Sequence, residues 1–501
     1  MTATMDLDRP FTPEPGDAPA TPDPRRFRAL AVIAVAQLMI VLDATVVTIA
    51  LPSAQRALHI SLANRQWVMT AYTLAFGGLL LLGGRVADYL GRKRMFVLSL
   101  LGFAGASALG GLAQSSAMLF GARALQGAMA AVMAPAALSL ITVTFTEPKE
   151  RARAFGVYGA IAGGGAAIGL ILGGLLTQYV SWRWTLLINT PIAITAALFA
   201  TRLVSESRTT GRTRYDVPGA LTATGGLLAI VYGFTRAEAD GWGSRPVLAL
   251  VMAGVALLAA FVAIELRSTH PLLPMRILAD RNRGGSYVAS LLVGIAMFAT
   301  FLFLTFYFQG TLGYSAIRTG FAFLPFSVGI ITGATLSSRL LPRVGPRALM
   351  VGGFGLAALG LGLFTMVHAD SSYLAHIMPA EFIVSIGMGT SFVPLSSTAL
   401  VGVNPGDAGV ASALVNTTQQ TGGSLGVSLL NTVAASATAR YLVGRVATPS
   451  VHAAALVHGY TTAFTISATL LGLAAVLSFL LLRATRADVV PEPVLAEAFA
   501  D

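Results

Sequence analysis

Residues 29–51 read ALAVIAVAQLMIVLDATVVTIAL, an unbroken apolar run with a single carboxylate, Asp43, inside it. At 1.5 Å rise per residue, about 20 residues span the hydrocarbon of a bilayer, so this run is long enough for one crossing. A charge near the bilayer centre costs roughly 2.5–3.5 kcal/mol on insertion scales, and residues that bear it are as a rule functional and paired. Farther along, Arg123 interrupts another apolar segment and is the candidate partner. An acid and a base at membrane depth, nearly alone there, point to a protein that moves protons or ions across a membrane.

The rest of the chain repeats the pattern. It is 55% hydrophobic and 11% charged, against about 25% charged in ordinary soluble domains. Long apolar runs alternate with short Arg-bearing loops, which reads as an all-α integral membrane protein. About 14 transmembrane helices are expected, at 29–51, 66–86, 95–114, 118–144, 155–179, 184–204, 217–235, 246–266, 286–308, 319–341, 348–367, 374–401, 409–436 and 460–482. They divide into a six-helix bundle at 29–204, two extra helices with linkers at 205–284, and a second six-helix bundle at 285–486. The Pro-rich segment 1–28 and the acidic segment 487–501 read as disordered cytoplasmic tails.

The formal net charge of +11 would suggest nucleic acid in a soluble protein. Here the 33 Lys and Arg residues sort by side, about 24 on one and about 8 on the other, with Arg123 between. By the positive-inside rule the rich side is cytoplasmic and holds both termini. No nucleic-acid partner is implied. Cysteine is absent and the six histidines lack ligand spacing, so neither a metal site nor a cofactor is expected. The first apolar run is too long for a signal-peptide core.

Four stretches carry the chemistry. The turn after the second helix reads Gly84-x-x-x-Asp88-x-x-Gly91-Arg92-Lys93, and a fainter echo, Arg339 to Arg347, follows the tenth. Parallel repeats of this kind build transporters that alternate access between two bundles. The second stretch runs from Leu42 to Pro52 around Asp43, the candidate protonation site. Opening and closing a site changes the desolvation and the cation proximity that decide whether a carboxyl holds its proton. The third is Arg123-x-x-Gln126-Gly127, whose Arg is a fixed charge because it does not usefully deprotonate. A purely structural role, bonded to neighbouring helices, is the other reading of Asp43 and Arg123. The fourth is a glycine ladder in which Gly165, Gly169 and Gly173 share one helix face beside Gly174, letting another helix approach closely.

These stretches resemble the major facilitator superfamily, in its 14-helix drug:proton antiporter branch, from about Arg25 to Arg486. The resemblance implies a gating role for the loop Gly84, Asp88, Gly91, Arg92 and Lys93, with Asp88 latching the cytoplasmic side of the outward-facing state. Tyr89 stands where the family has Arg. It also implies that Arg123 stabilises ionised Asp43. The stretch Gly169 to Gly174 resembles an element associated with exporters, with Leu170 in place of its Pro. Asn416, Gln419 and Gln420, three to four residues apart in the thirteenth helix, together with Gln126 are candidates for the substrate path. Glue between helices is an equal reading of the thirteenth-helix amides. Glu381 is a second acid at membrane depth and a candidate proton or cation site.

The function implied is a proton-coupled antiporter exporting small lipophilic or cationic drugs from the bacterial cytoplasm. It would work as a monomer in the inner (plasma) membrane, with small molecules, protons and the lipid bilayer as its partners. A dedicated exporter of one endogenous metabolite is the nearest alternative. An integral membrane enzyme acting on lipids is a distant one, since no catalytically spaced cluster of His, Asp or Ser stands out.

Overall fold

The computed structural model describes residues 24–61, 64–145, 147–207, 216–268, 271–403, 408–446 and 448–489. Most of the two expected tails lies outside these. The described chain is helical: α1 (Arg26–Ala57), α2 (Trp67–Leu90), α3 (Arg92–Gly111), α4 (Ser116–Thr144), α5 (Pro148–Tyr179), α6 (Trp184–Leu187), α7 (Asn189–Leu203), α8 (Val217–Asp240) and α9 (Arg245–Arg267). There follow α10 (Met275–Ala279), α11 (Arg281–Phe306), α12 (Ala316–Ala322), α13 (Leu324–Phe364), α14 (Met378–Thr398), α15 (Ala408–Leu442), α16 (Pro449–Leu481) and α17 (Arg486–Val489). Side chains close several of the helix starts. Ser115 accepts from the Met118 N–H, Asp216 from Gly219, and Asp280 from Asn282 and Arg283.

The surface shows which solvent these helices were built for. In α9 only Val247, Gly254 and Glu265 are buried, while Leu248, Met252, Val255, Val262 and Leu266 stand exposed. A helix apolar all round, with its apolar side chains outward, is stable only against lipid.

By length and hydropathy alone, ten helical stretches among the described residues qualify as membrane spans, or eleven with the bent α2. The sequence reading expects about fourteen. All fourteen expected segments coincide with helix, and the shortfall has local causes. The stretch Ala316–Phe364 counts once, yet it breaks at Gly345, where φ is 77° and ψ is 168°. Its limbs hold the expected 319–341 and 348–367. The α2 helix bends by 57° between Trp67–Leu80 and Leu82–Leu90. The α5 helix enters that count only as Ile168–Tyr179, although the helix itself runs 32 residues from Pro148 to Tyr179, longer than a crossing needs. The α15 helix is diluted by its run of Asn, Thr, Gln, Gly and Ser from Asn416 to Ser424. Gly91 and Gly345, matched in the faint sequence echo, both take positive φ at a sharp helix-to-helix corner, where glycine avoids the Cβ clash.

One apolar cluster joins α1 to α5 and α7, with Ile33, Phe96, Phe103, Ala136 and Ala197 among its members. Another gathers α11 to α16 with the last turns of α1 and the start of α2, through Ile49, Leu51, Phe303, Phe308, Phe354 and Phe464. The aromatic residues of α11 therefore serve mainly as core. The two groups meet most closely at the far end of the molecule, where α1 finishes and α2 begins. There Gln309 Nε2 donates to the Ile49 carbonyl at 3.0 Å, and the Ile317 N–H donates to Gln178 Oε1 at 3.2 Å. A Cβ on Gly174 would stand 2.7 Å from Ile317 Cα.

The glycine ladder fixes how α5 lies on α1. Gly165 faces Leu38 and Val41, Gly169 faces Thr45 and Leu42, and Gly173 faces Val46. These α1 residues bracket Asp43. A Cβ on Gly173 would stand 2.9 Å from Val46 Cα and 3.0 Å from its carbonyl oxygen, so Gly173→Val must push the helices apart. Overpacking of this kind costs about 1–3 kcal/mol. The expected result is a lower Tm for Gly173→Val in detergent, and an unchanged one for Gly105→Val, where an added Cβ meets nothing within 4 Å. Equal Tm values for the two variants would remove the close-packing role.

Candidate functional site

Asp43 sits in the middle of α1 with no exposed surface, and Arg123 of α4 is 1% exposed. Arg123 Nη1 donates to Asp43 Oδ2 at 2.5 Å. The other carboxylate oxygen, Oδ1, accepts from Gln126 Nε2 at 3.0 Å and from Asn189 Nδ2 at 2.9 Å. Arg123 is held in turn: Nε donates to the Val68 carbonyl at 3.0 Å, and Nη1 also donates to Gln126 Oε1 at 2.9 Å. Its guanidinium lies 4.4 Å from the centre of the Tyr72 ring. Gln126 Nε2 further donates to Ser107 Oγ at 2.7 Å. Five helices, α1, α2, α3, α4 and α7, thus converge on one ion pair.

Local sequence makes the convergence possible. Arg123, Gln126 and Gly127 are three and four residues apart, so they share one face of α4. A Cβ on Gly127 would collide with the Tyr72 carbonyl, so its absence lets α4 press against α2. That brings Arg123 to the Val68 carbonyl and the Tyr72 ring.

Of the residues singled out in the sequence, the structure brings Asp43, Arg123 and Gln126 into direct contact. Gln126, a candidate for the substrate path, is fully buried in the ion-pair network. Asn189 is part of the same network, and Tyr72, Ser107 and the Val68 carbonyl complete it. None of these last three carries a sequence signal, because a Tyr, a Ser and a backbone oxygen are unremarkable in any helix.

Glu381 lies elsewhere, in the first turn of α14, with no exposed surface and no hydrogen-bond partner for either carboxyl oxygen among the described residues. Asn416 is exposed, while Gln419 and Gln420 are half-buried. Gln420 packs its Cβ 3.1 Å from where one on Gly77 of α2 would stand, and its Oε1 has no hydrogen-bond partner among the described residues.

The loop after α2 is ordered by local bonds. Arg92 Nε meets Asp88 Oδ1 at 2.8 Å, so in this state the Asp88 charge is answered within its own loop. The Arg92 N–H donates to the Ser207 carbonyl at 3.0 Å, and Lys93 Nζ to that of Thr201 at 2.8 Å. The Glu206 carboxylate accepts from the Lys93 and Arg94 N–H groups at 3.1 and 3.2 Å, capping the start of α3 with a negative charge. Gly84 packs against Pro135 of α4.

A buried ion pair strands a charge when one partner goes, at a cost of about 3–5 kcal/mol, whereas replacing both with apolar groups is often neutral. Arg123→Met and Asp43→Leu should each lower the Tm of the purified protein, and the double variant should recover most of the loss. Purely additive losses would show that the two charges do not depend on each other.

Known proteins place the arrangement in a lineage. The description of the Major Facilitator Superfamily matches residues 33–427. The chain is 53% identical over 465 residues to the puromycin resistance protein pur8 of Streptomyces alboniger, covering 92% of each. It is 41% identical over 414 residues to the cephamycin export protein CmcT of Amycolatopsis lactamdurans, covering 82% of this chain and 85% of that one. In fold it resembles the inward-facing, unoccupied crystal structure of a bacterial homologue of the human lysosomal transporter Spinster. The TM-score is 0.64 at 17% identity, over 94% of this chain and 100% of that one. The chain belongs to the major facilitator superfamily of membrane transporters.

Proposed function

We propose that this transporter is a proton-coupled antiporter that exports small lipophilic or cationic antibiotics from a bacterial cytoplasm. It works as a monomer in the inner membrane, with both termini inside. The observation that carries the reading is the fully buried Asp43–Arg123 pair. Asp43 is the proton carrier and Arg123 the fixed charge that holds it ionised until the helices move. The names of the two relatives, one conferring resistance to an antibiotic and one exporting another, supply the substrate class and the direction. One proton falling through 100 mV releases about 2.3 kcal/mol, enough for roughly a fiftyfold gradient of a neutral substrate.

In the same reading the helices at 29–204 and 285–486 are the two bundles that rock, with α8 and α9 between them. The seam is drawn together at the far end, and Asp88 is occupied by Arg92 of its own loop. Both support a state open toward the termini. When the far end opens, Asp88 exchanges Arg92 for a partner on the opposite bundle and latches the cytoplasmic side. Glu381, buried and unpartnered, is the second proton or cation site. Gln419 and Gln420 border the substrate path.

A narrower variant has its own support, because each of the two relatives is named for a single antibiotic. A dedicated exporter would protect cells against one compound and its analogues only. Growth protection across chemically unrelated compounds would exclude it.

Asp43→Asn, reconstituted in vesicles, should lose uphill efflux driven by a pH gradient while still inserting in the membrane. Normal efflux from that variant would move proton coupling elsewhere. Asp88→Asn should cut turnover with substrate affinity largely kept, as read from transport rate against binding. A selective loss of affinity would contradict the latch.

A further inference from the structure

One oxygen beside Asp43 is buried and unused. Asn189, the first residue of α7, is 1% exposed and donates from Nδ2 to Asp43 Oδ1 at 2.9 Å. Its own carbonyl oxygen has no hydrogen-bond partner among the described residues. An acceptor buried and left empty is costly, and such an atom in a native core calls for a use.

The chemistry of the carboxyl supplies one. An ionised carboxylate only accepts hydrogen bonds, so the amides around it must face it with N–H, as Gln126 Nε2 and Asn189 Nδ2 both do. A neutral carboxyl carries an O–H as well, and a buried O–H needs an acceptor. Asp43 Oδ2 lies against the Arg123 cation at 2.5 Å, which leaves Oδ1 as the oxygen that takes a proton. Gln126 is poorly placed to accept from it. Its Oε1 already receives Arg123 Nη1 and its Nε2 also serves Ser107 Oγ, so turning the amide would set N–H groups against the guanidinium. Asn189 is tied only through Nδ2. Half a turn about its terminal torsion, which is roughly two-fold, exchanges oxygen for NH2 in the same volume. The amide then makes one bond to Asp43 in either state.

Among the described residues, the charged or titratable groups facing the site are Arg123 of α4 and Tyr72 of α2, whose ring lies against the guanidinium. From α3 comes Ser107, bonded to Gln126, and α5 presents its glycine face. Arg has no acceptor to offer.

We propose that Asn189 is a positioning residue that answers both protonation states of Asp43, with N–H toward the carboxylate and a turned carbonyl toward the neutral acid. This rests on the reading of Asp43 as the proton carrier. One proton from water forms the Asp43 O–H, no bond between heavy atoms is made or broken, and the charge of the Asp43–Arg123 pair rises from zero to plus one.

The test is an acid-minus-neutral infrared difference spectrum of the full-length protein in phosphatidylcholine nanodiscs, with an isotope label in the side-chain carbonyl of asparagine. Acid should raise a protonated-carboxyl band that is missing in Asp43→Asn. With it, one labelled asparagine band should move to lower wavenumber, because a carbonyl that gains a hydrogen bond is weakened. Asn189→Leu should keep the carboxyl band and lose the asparagine shift. Should that variant fail to fold, Asp43→Asn makes the assignment, since the asparagine shift must vanish together with the carboxyl band. A carboxyl band without an asparagine shift, or a shift that survives in either variant, overturns the inference and leaves Asp43 as the proton carrier. No Asp43 carboxyl band at any pH overturns the proton reading, and this inference with it.

Discussion

A carboxylate and a guanidinium locked together out of reach of water are a poor way to stabilise a protein. Moving each ion out of water costs several kcal/mol even after relaxation, and well-packed apolar residues would often do as well or better. Yet five helices converge on Asp43 and Arg123, and both carboxylate oxygens are answered by donors. Such a pair fits a charge balance that must change during work. In the proposed cycle, protonation of Asp43 would remove the anion around which Arg123, Gln126 and Asn189 are arranged, and the packing of α1 against α4 and α7 would change with it.

The α1 helix carries that change outward. Around Asp43 it lies on the glycine face of α5, through Leu38, Leu42, Thr45 and Val46. Six residues on, the Ile49 carbonyl receives Gln309 from the turn after α11. At 1.5 Å per residue that is about 9 Å along one rigid element. The buried ion pair and the seam therefore share a helix, and a small rotation of α1 is felt at both.

How much of this is legible in the sequence depends on contrast. Asp43 and Arg123 stand out because a charge is rare in an apolar run, and Gln126 follows by helical spacing. Tyr72, Ser107 and the Val68 carbonyl do not stand out, because only folding makes them neighbours of the pair. Arg65 is harder still. Beside a loop it reads as one of the few basic residues on the poorer side, and nothing in its neighbours announces the Phe306 ring beneath its guanidinium or the Asn431 amide that accepts from it. The helix count shows the reverse problem. The α15 helix is helical throughout, yet its Asn, Thr, Gln, Gly and Ser residues lower the hydropathy on which a span is recognised. Those same residues allow close packing, as where Gly422 faces the Leu291 carbonyl of α11.

In the proposed cycle, the contacts of the extra pair of helices bear on how large a drive is needed to part the bundles. The α8 helix bridges α2 and α15 with hydroxyls: Thr224 donates to the Gly78 carbonyl, Gln66 to Thr235, Ser428 to the Val231 carbonyl and Thr432 to that of Phe234. Hydrogen bonds between helices in a membrane average only about 0.6 kcal/mol each. Hydroxyls aimed at carbonyls can also exchange one acceptor for the next as helices slide. A boundary held by several such bonds stays closed, yet it is comparable in strength to the roughly 2.3 kcal/mol that a proton gives up across 100 mV. A line of ion pairs there would exceed that drive and lock the bundles. Asp43 and Arg123 pair inside one group of helices, whereas the contacts of α8 with α2 and α15 named above are single hydrogen bonds of hydroxyls and an amide.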